Sequence, residues 1–118
     1  MRSRIGDRQR LLHILDAIKE IENYISGSSE DDFMCNSMMK HACIKQIEII
    51  GEAANLISSE TQNIYHEVDW DQIVGMRNLL VHEYFGIDFK IVWQVITEDI
   101  SLLKKQIAQI LVSMDKLQ

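Results

Sequence analysis

Residues 7–25 have the sequence DRQRLLHILDAIKEIENYI, and their apolar side chains are spaced as in a helix. Leucines and isoleucines recur every three or four positions, the interval that places side chains on one face of an α-helix. The stripe consists of Leu11, Leu12, Leu15, Ile18, Ile21 and Ile25. The run SGSS at residues 26–29 ends the pattern. This stretch therefore predicts an amphipathic helix that packs by one face.

Three further segments show the same periodicity. Acidic residues from position 30 suit the positive end of a helix dipole, and the stripe that follows predicts one helix from about residue 29 to about residue 58. Asp69, with Gln72 three residues later, resembles a capping box and opens a third helix to about residue 81. Asp88 caps a fourth helix that runs to about residue 114. The pattern predicts an all-α fold, an antiparallel four- to five-helix bundle with short connections.

The second predicted helix contains a glycine and two cysteines. Gly51 interrupts it where glycine costs about 1 kcal/mol relative to alanine, so we expect this position to admit a neighbouring backbone. Cys35 and Cys43 lie eight positions apart, and on one helix their Cα atoms would be about 12 Å from each other. We therefore expect two small buried side chains rather than a disulfide. No zinc-ligand spacing is present.

Composition narrows the class of protein. A chain of 118 residues suits a single domain, which we take to span residues 1–118. The hydrophobic fraction of 47% and the charged fraction of 25% exclude disorder as the main state. No apolar run approaches the ~18 residues of a membrane span, and no signal-peptide pattern follows the N-terminus, so we expect a cytoplasmic protein. The net charge of −6 argues against a general nucleic-acid binder, although four arginines among the first ten residues allow a local positive site.

One segment is rich in side chains that can take part in catalysis or binding, RNLLVHEY at residues 77–84. Asn78 and His82 are four residues apart and share a helix face, so the amide can orient the imidazole. Arg77 and His82 are five residues apart, about 140° around the axis, and do not share a face. Both groups reach one substrate if the arginine bends, if the helix unwinds near Gly86, or if a second copy of the same helix completes the site. A two-fold homodimer is the most economical arrangement.

Without a metal or a cofactor, this pair of side chains suits one reaction on RNA. A histidine with a pKa near 6.5 can take the proton of a ribose 2′-hydroxyl, and an arginine can stabilise charge on phosphoryl oxygens. The products expected are a 2′,3′-cyclic phosphate and a 5′-hydroxyl.

Residues 77–84 resemble the R-x4-H-x-Y signature of the HepT-like toxins of the HEPN superfamily. The resemblance extends over IIGEAAN at 49–55, VDW at 68–70, IVGMRN at 73–78, VHEYFGID at 81–88 and VW at 92–93, and it covers roughly residues 8 to 111. A bare R-x4-H pair is weak evidence. The ordered combination of these segments is specific.

This resemblance implies a helical homodimer with metal-independent endoribonuclease activity. Arg77 and His82 would be catalytic. It also implies a cognate nucleotidyltransferase antitoxin that transfers AMP from ATP to Tyr84. Anionic nucleotides on that phenol would block the cleft and repel RNA phosphates.

Each of these residues also has a purely structural interpretation. His82 could be a histidine at a helix end, Arg77 could pair with Asp71 or Glu83, and Tyr84 could plug the bundle with its hydroxyl in water. Asn78 is as consistent with a solvated amide as with an orienting one. On the level of function, the alternatives are a non-catalytic helical partner of a nucleotidyltransferase and a plain dimerising bundle.

Overall fold

In the computed structural model the backbone is described for residues 4–82 and 86–116, and side chains for residues 6–78 and 86–116. The helices are α1 (Arg4–Ile25), α2 (Glu30–Met34), α3 (Ser37–Leu56), α4 (Ser59–Ile64), α5 (Trp70–His82), α6 (Phe89–Gln94) and α7 (Ile100–Lys116), with a π-helical segment (Val95–Asp99) between the last two. No strand occurs in these two stretches, which confirms the all-α prediction. None of the described helices is both long and apolar enough to cross a membrane.

Among the described residues, the bundle has four long helical rods: α1, α3, α5 and the rod formed by α6, the π-helical segment and α7. Ion pairs join the first and the last of these near both ends. Arg8 near the start of α1 contacts Asp115 near the end of α7 at 3.1 Å, while Lys104 near the start of α7 contacts Glu22 near the end of α1 at 2.9 Å. The two helices therefore run antiparallel. Exposed ion pairs contribute only about 0–1 kcal/mol, so these contacts define direction more than stability.

The core consists of one face from each rod. Its largest fully buried side chains include Leu11, Ile14, Ile18 and Ile21 of α1, Ile50 of α3, and Ile100, Ile107 and Ile110 of the last rod. Half of the predicted α1 stripe is fully buried, namely Leu11, Ile18 and Ile21. Leu12, Leu15 and Ile25 are only partly buried, so the buried face of α1 is rotated relative to the predicted one. In the last rod Ile91 is 48% exposed and Leu102 is 60% exposed, so not every apolar side chain of this segment is buried.

The second predicted helix is two helices. Ser29 caps α2 in a reciprocal capping box with Asp32, and Asn36 caps α3 by accepting a hydrogen bond from the backbone N–H of Met39. Because the helix is interrupted between Met34 and Ser37, the assignment of both cysteines to one helix was wrong. Cys43 is buried as expected, whereas Cys35 at the break is exposed.

A buried carboxylate fixes the start of α1 against the start of α4. Asp7 has no exposed surface and accepts hydrogen bonds from the Ser58 hydroxyl, the Ser58 backbone N–H at 2.9 Å and the Thr61 hydroxyl at 2.6 Å. Burial raises the pKa of Asp7, but the hydrogen bonds from Ser58 and Thr61, with the charge of Arg10, outweigh it and hold the pKa below its usual value. Asp7 is therefore ionised and fully bonded inside the bundle.

The last rod contains a π-helical turn. Backbone angles at Gln94, Val95 and Ile100 are all right-handed helical, so α6, the π-helical segment and α7 form one continuous rod. The hydroxyl of Thr97 donates to the carbonyl of Trp93 at 2.7 Å. Hydroxyls that bond back to a preceding turn bend helices, which matches a bulge at this point.

Candidate active site

Helix α5 carries Arg77 and His82 of the motif and is fixed at its start. The carboxylate of Asp69 accepts a hydrogen bond from the backbone N–H of Gln72 at 3.1 Å, as the capping prediction required. The buried indole of Trp70 donates to the carbonyl of Tyr65, just beyond α4. Because α4 is in turn bonded to the last turn of α3 through Gln62, α5 begins beside the C-terminal end of α3.

Gly51 of α3 is a point of close approach between α3 and α5. A Cβ atom placed on Gly51 would lie 2.7 Å from Cβ of Arg77 and 3.5 Å from the carbonyl oxygen of Ile73. Ordinary carbon–carbon contact requires about 3.5–4.0 Å, so only glycine fits. This confirms that Gly51 admits a neighbouring backbone. Since Trp70 lies at the C-terminal end of α3 and Arg77 lies opposite Gly51, α5 runs antiparallel to α3.

Arg77 is placed by this crossing and remains accessible. Its neighbours Ile73 and Met76 are buried in the core, while Arg77 itself is partly exposed. Within residues 6–78 and 86–116 no carboxylate lies within 4.0 Å of its guanidinium, so the pairing with Asp71 is wrong, and Glu83 lies outside these residues. A cation without a carboxylate partner is available to bind a phosphate.

The other motif residues are described to different extents. Asn78 is exposed, and its side chain makes no hydrogen bond to the described part of the chain. His82 is the last residue of α5, but its side chain lies outside the described set, and Tyr84 lies wholly outside it. The orientation of His82 by Asn78 and the role of Tyr84 therefore stay predictions.

Positions 77 and 82 stay on one regular helix. The α-helical backbone is unbroken from residue 70 to residue 82, so the two positions are about 140° apart around the axis and about 7.5 Å apart along it. The helix does not unwind between them. Unwinding near Gly86 would fall beyond this helix, next to residues 83–85, which lie outside the described part of the chain. It therefore stays a prediction, together with bending of the arginine and completion by a second copy.

Glu52 borders a different surface. It lines a groove between α1 and α3 together with Arg10 and His13, and Arg77 is not among the residues of that groove. Arg8 and Arg10, two of the four arginines near the N-terminus, lie within α1. In the described part of the chain no three His, Cys, Asp or Glu residues lie close enough to hold a metal ion.

One cluster beside α6 was not predicted from the sequence. The Lys40 ammonium lies 4.4 Å from the centroid of the Phe89 ring, and the His41 ring lies 6.0 Å from the same ring. Helical periodicity gives no signal for this contact, because it joins residues of two helices that are far apart in the chain.

Comparison with known proteins gives a consistent result. A family model described as "Ribonuclease HepT-like" matches residues 14–110. A "Probable ribonuclease HepT" of Thermococcus cleftensis is 36% identical over 91 residues, covering 77% of this chain and 83% of that protein. A "Putative RNase" of Caldanaerobacter subterraneus subsp. tengcongensis is 36% identical over 104 residues, covering 88% of this chain and 93% of that protein.

A longer relative also matches. A "Gamma-glutamylcyclotransferase and putative RNase" of Methanocaldococcus jannaschii is 39% identical over 106 residues, covering 90% of this chain. The match spans 48% of that protein, so this chain corresponds to about half of it. No solved structure matches the chain significantly.

Proposed function

Because the chain belongs to the HepT-like ribonuclease family, we propose that it is a metal-independent endoribonuclease that acts as the toxin of a toxin–antitoxin pair. The observation that carries the proposal is Arg77, a partly exposed guanidinium held at the crossing of α3 and α5 with no carboxylate partner among the described residues. It precedes His82 by five positions, as in the R-x4-H-x-Y motif.

The proposed reaction is transesterification within the RNA strand. His82 takes the proton of a ribose 2′-hydroxyl, and the oxygen attacks the adjacent phosphorus. The new P–O2′ bond replaces the P–O5′ bond, which leaves a 2′,3′-cyclic phosphate, and the departing 5′-oxygen takes a proton from water and becomes a 5′-hydroxyl. Arg77 binds the phosphoryl oxygens, where negative charge accumulates in the transition state.

The proposed site is shared between two copies of the chain. On one regular helix, positions 77 and 82 diverge by about 140°, so a phosphate on one face meets only one of them directly. In a two-fold dimer, Arg77 of one copy and His82 of the other would face each other across the axis. Two equivalent sites would result.

We propose that the ribonuclease activity is switched off by modification of Tyr84. A partner nucleotidyltransferase transfers AMP from ATP to the phenol oxygen, with formation of a P–O bond and release of pyrophosphate. The added phosphate would repel the RNA backbone, and the nucleoside would fill the cleft beside His82. Co-expression with the partner followed by intact-mass measurement tests this step. We expect added mass in multiples of one AMP unit, absent in Tyr84→Phe.

RNA cleavage in EDTA tests the activity itself. We expect the purified protein to cut single-stranded RNA, and Arg77→Ala and His82→Ala each to abolish cleavage while helicity measured by circular dichroism is unchanged. Products should carry 2′,3′-cyclic phosphate ends, and a 2′-deoxy residue at the cut site should block the reaction. Cleavage by either variant at the wild-type rate would refute the proposed chemistry.

Mixing the two inactive variants tests the shared site. A heterodimer of Arg77→Ala and His82→Ala has one intact site and one lacking both groups. Random exchange makes half of the dimers mixed, so about a quarter of wild-type activity should return. If each site is built from a single copy, no activity returns.

A non-catalytic role as partner of a nucleotidyltransferase is the second candidate, and the net charge of −6 favours it because the chain as a whole repels RNA. It predicts tight association with the partner, no added mass on Tyr84 and no RNA cleavage by the free protein.

A further inference from the structure

Three side chains form a compact cationic and aromatic surface where α3 meets α6. Lys40 and His41 project from the second turn of α3, and Phe89 opens α6. The Lys40 ammonium lies over the Phe89 ring at 4.4 Å, and the His41 ring meets Phe89 at 6.0 Å with an interplanar angle of 64°. We refer to Lys40, His41, Phe89 and the adjoining Trp93 as the α3–α6 surface.

The buried ring of Phe33 packs against both aromatic rings of this surface and supports them. Phe33 of α2 is fully buried and contacts the Phe89 ring at 6.4 Å and the Trp93 ring at 5.2 Å between centroids. Phe89 and Trp93 are themselves only partly buried. Two accessible rings on a fixed support lose little conformational freedom when a flat ligand packs against them.

The charge and the hydrogen-bonding groups of the surface are available to a ligand. No carboxylate of the described residues lies within 4.0 Å of the Lys40 ammonium, and a π-system leaves the net charge of a cation in place. Nδ1 of His41 lies 2.8 Å from the carbonyl oxygen of Ser37, which only accepts, so Nδ1 carries a hydrogen. In the neutral imidazole, Nε2 is then an acceptor on an exposed side chain.

The surface lies at the end of the bundle to which α5 points. Since α5 runs antiparallel to α3, its C-terminal end at His82 approaches the N-terminal half of α3, where Lys40 and His41 are. Phe89 follows His82 by seven positions, so their Cα atoms are at most about 25 Å apart. A strand cut at the motif therefore passes within a few nucleotides of the surface.

From this arrangement we propose that the α3–α6 surface binds an unpaired nucleotide of the RNA substrate next to the cleavage site. The inference rests on the proposed ribonuclease function and adds the surface that would give it a preference for single-stranded RNA. Unstacked bases pack on aromatic side chains, and lysines bind the neighbouring phosphate, which together form the common mode of single-strand binding. A base in a duplex is already stacked and paired and cannot enter.

Binding of a non-cleavable oligonucleotide tests the proposal directly. The probe is a 2′-O-methyl single strand, titrated against the full chain by fluorescence anisotropy at several salt concentrations. Lys40→Ala should weaken binding and reduce the slope of log K against log salt by about 0.7, whereas Lys40→Arg should retain both. His41→Ala should weaken binding at least about fivefold, the lower end for loss of one stacking side chain. The matched control is Lys105→Ala, which removes one exposed charge from α7.

Tryptophan fluorescence gives a second measurement that needs no variant. Trp70 is buried, whereas Trp93 belongs to the surface, so stacking of a base should quench the emission of Trp93. A duplex of the same sequence should not quench it.

The outcomes separate this inference from the proposed function. If Lys40→Ala and His41→Ala bind the oligonucleotide like Lys105→Ala while cleavage still depends on Arg77, the surface does not bind RNA and the proposed function stands. If binding behaves as expected but the wild type cuts no RNA, the proposed function fails alone. If Lys40→Ala and His41→Ala bind the oligonucleotide normally but no longer associate with a co-expressed nucleotidyltransferase, the surface is a protein interface and the inference is overturned.

Discussion

Replacement of Gly51 by alanine tests the packing that places Arg77. In an exposed helix this substitution stabilises by about 1 kcal/mol. Here the new methyl carbon would lie 2.7 Å from Cβ of Arg77, so α3 and α5 would have to separate by about 0.8 Å or more to restore ordinary contact. Overpacking of this kind costs about 1–3 kcal/mol. We therefore expect Gly51→Ala to be net destabilising by about 0–2 kcal/mol, a fall in Tm of up to about 8 °C.

Gly75→Ala is the matched control, because Gly75 lies within α5 and an added Cβ there meets no atom within 4 Å. It should raise the free energy of unfolding by up to about 1 kcal/mol. Thermal and urea unfolding of both variants measure the difference. Cleavage by Gly51→Ala should also fall by about 10- to 100-fold, since a displacement of about 1 Å at a reacting group costs rates of that order. If Gly51→Ala stabilises the protein as much as Gly75→Ala does, the close approach at Arg77 is wrong.

Three further predictions concern single side chains. Asp7→Ala should destabilise the protein by about 3 kcal/mol, because it leaves buried hydroxyls without their charged acceptor. The pKa of Asp7 lies below its ordinary value of 3.8. Its ionised form therefore contributes fully to the free energy of unfolding above pH 3.8, and this contribution is lost as the pH falls through the folded-state pKa. Acid unfolding of Asp7→Asn should lack this part of the pH dependence. Arg77→Lys should lower kcat/KM at least about tenfold with unchanged circular dichroism, because an ammonium cannot bind two phosphoryl oxygens as a planar guanidinium does. An Ellman titration should count one fast thiol, the exposed Cys35, and a second only after unfolding, because burial raises the pKa of Cys43 to about 11.

Helix boundaries were predicted well where a local signal marks them. Asp69 and Asp88 are capping residues as expected, because a side chain that bonds a backbone N–H two or three residues later leaves a signature in sequence. The break between α2 and α3 was missed, although Asn36 is an equally good cap, because the apolar stripe continues on both sides of it. The π-helical segment was missed for a similar reason, since one widened turn barely disturbs the period.

The candidate site, too, was predicted from the sequence only in part. The motif supplied Arg77, His82 and Tyr84 as candidates, and Gly51 was expected to admit a backbone because a glycine is costly in a strong helical pattern. The sequence could not tell that the backbone belongs to α5 and that the contact falls on Arg77 itself. Two interpretations of the sequence were wrong: the alternative that Arg77 pairs with Asp71, and the placement of both cysteines on one helix.

The sequence alone determined the helical class, the helix boundaries that a capping residue marks and the chemistry available along α5, because these depend on residues within a few positions of one another. Only the tertiary structure decided that Asp7 is buried among hydroxyls, that Arg77 rests on Gly51 and that Lys40 lies over Phe89. Each of these contacts joins helices distant in the chain. Their geometry follows from how four rods fill a common core, and periodicity within one rod carries no information about which side chain of another rod it meets.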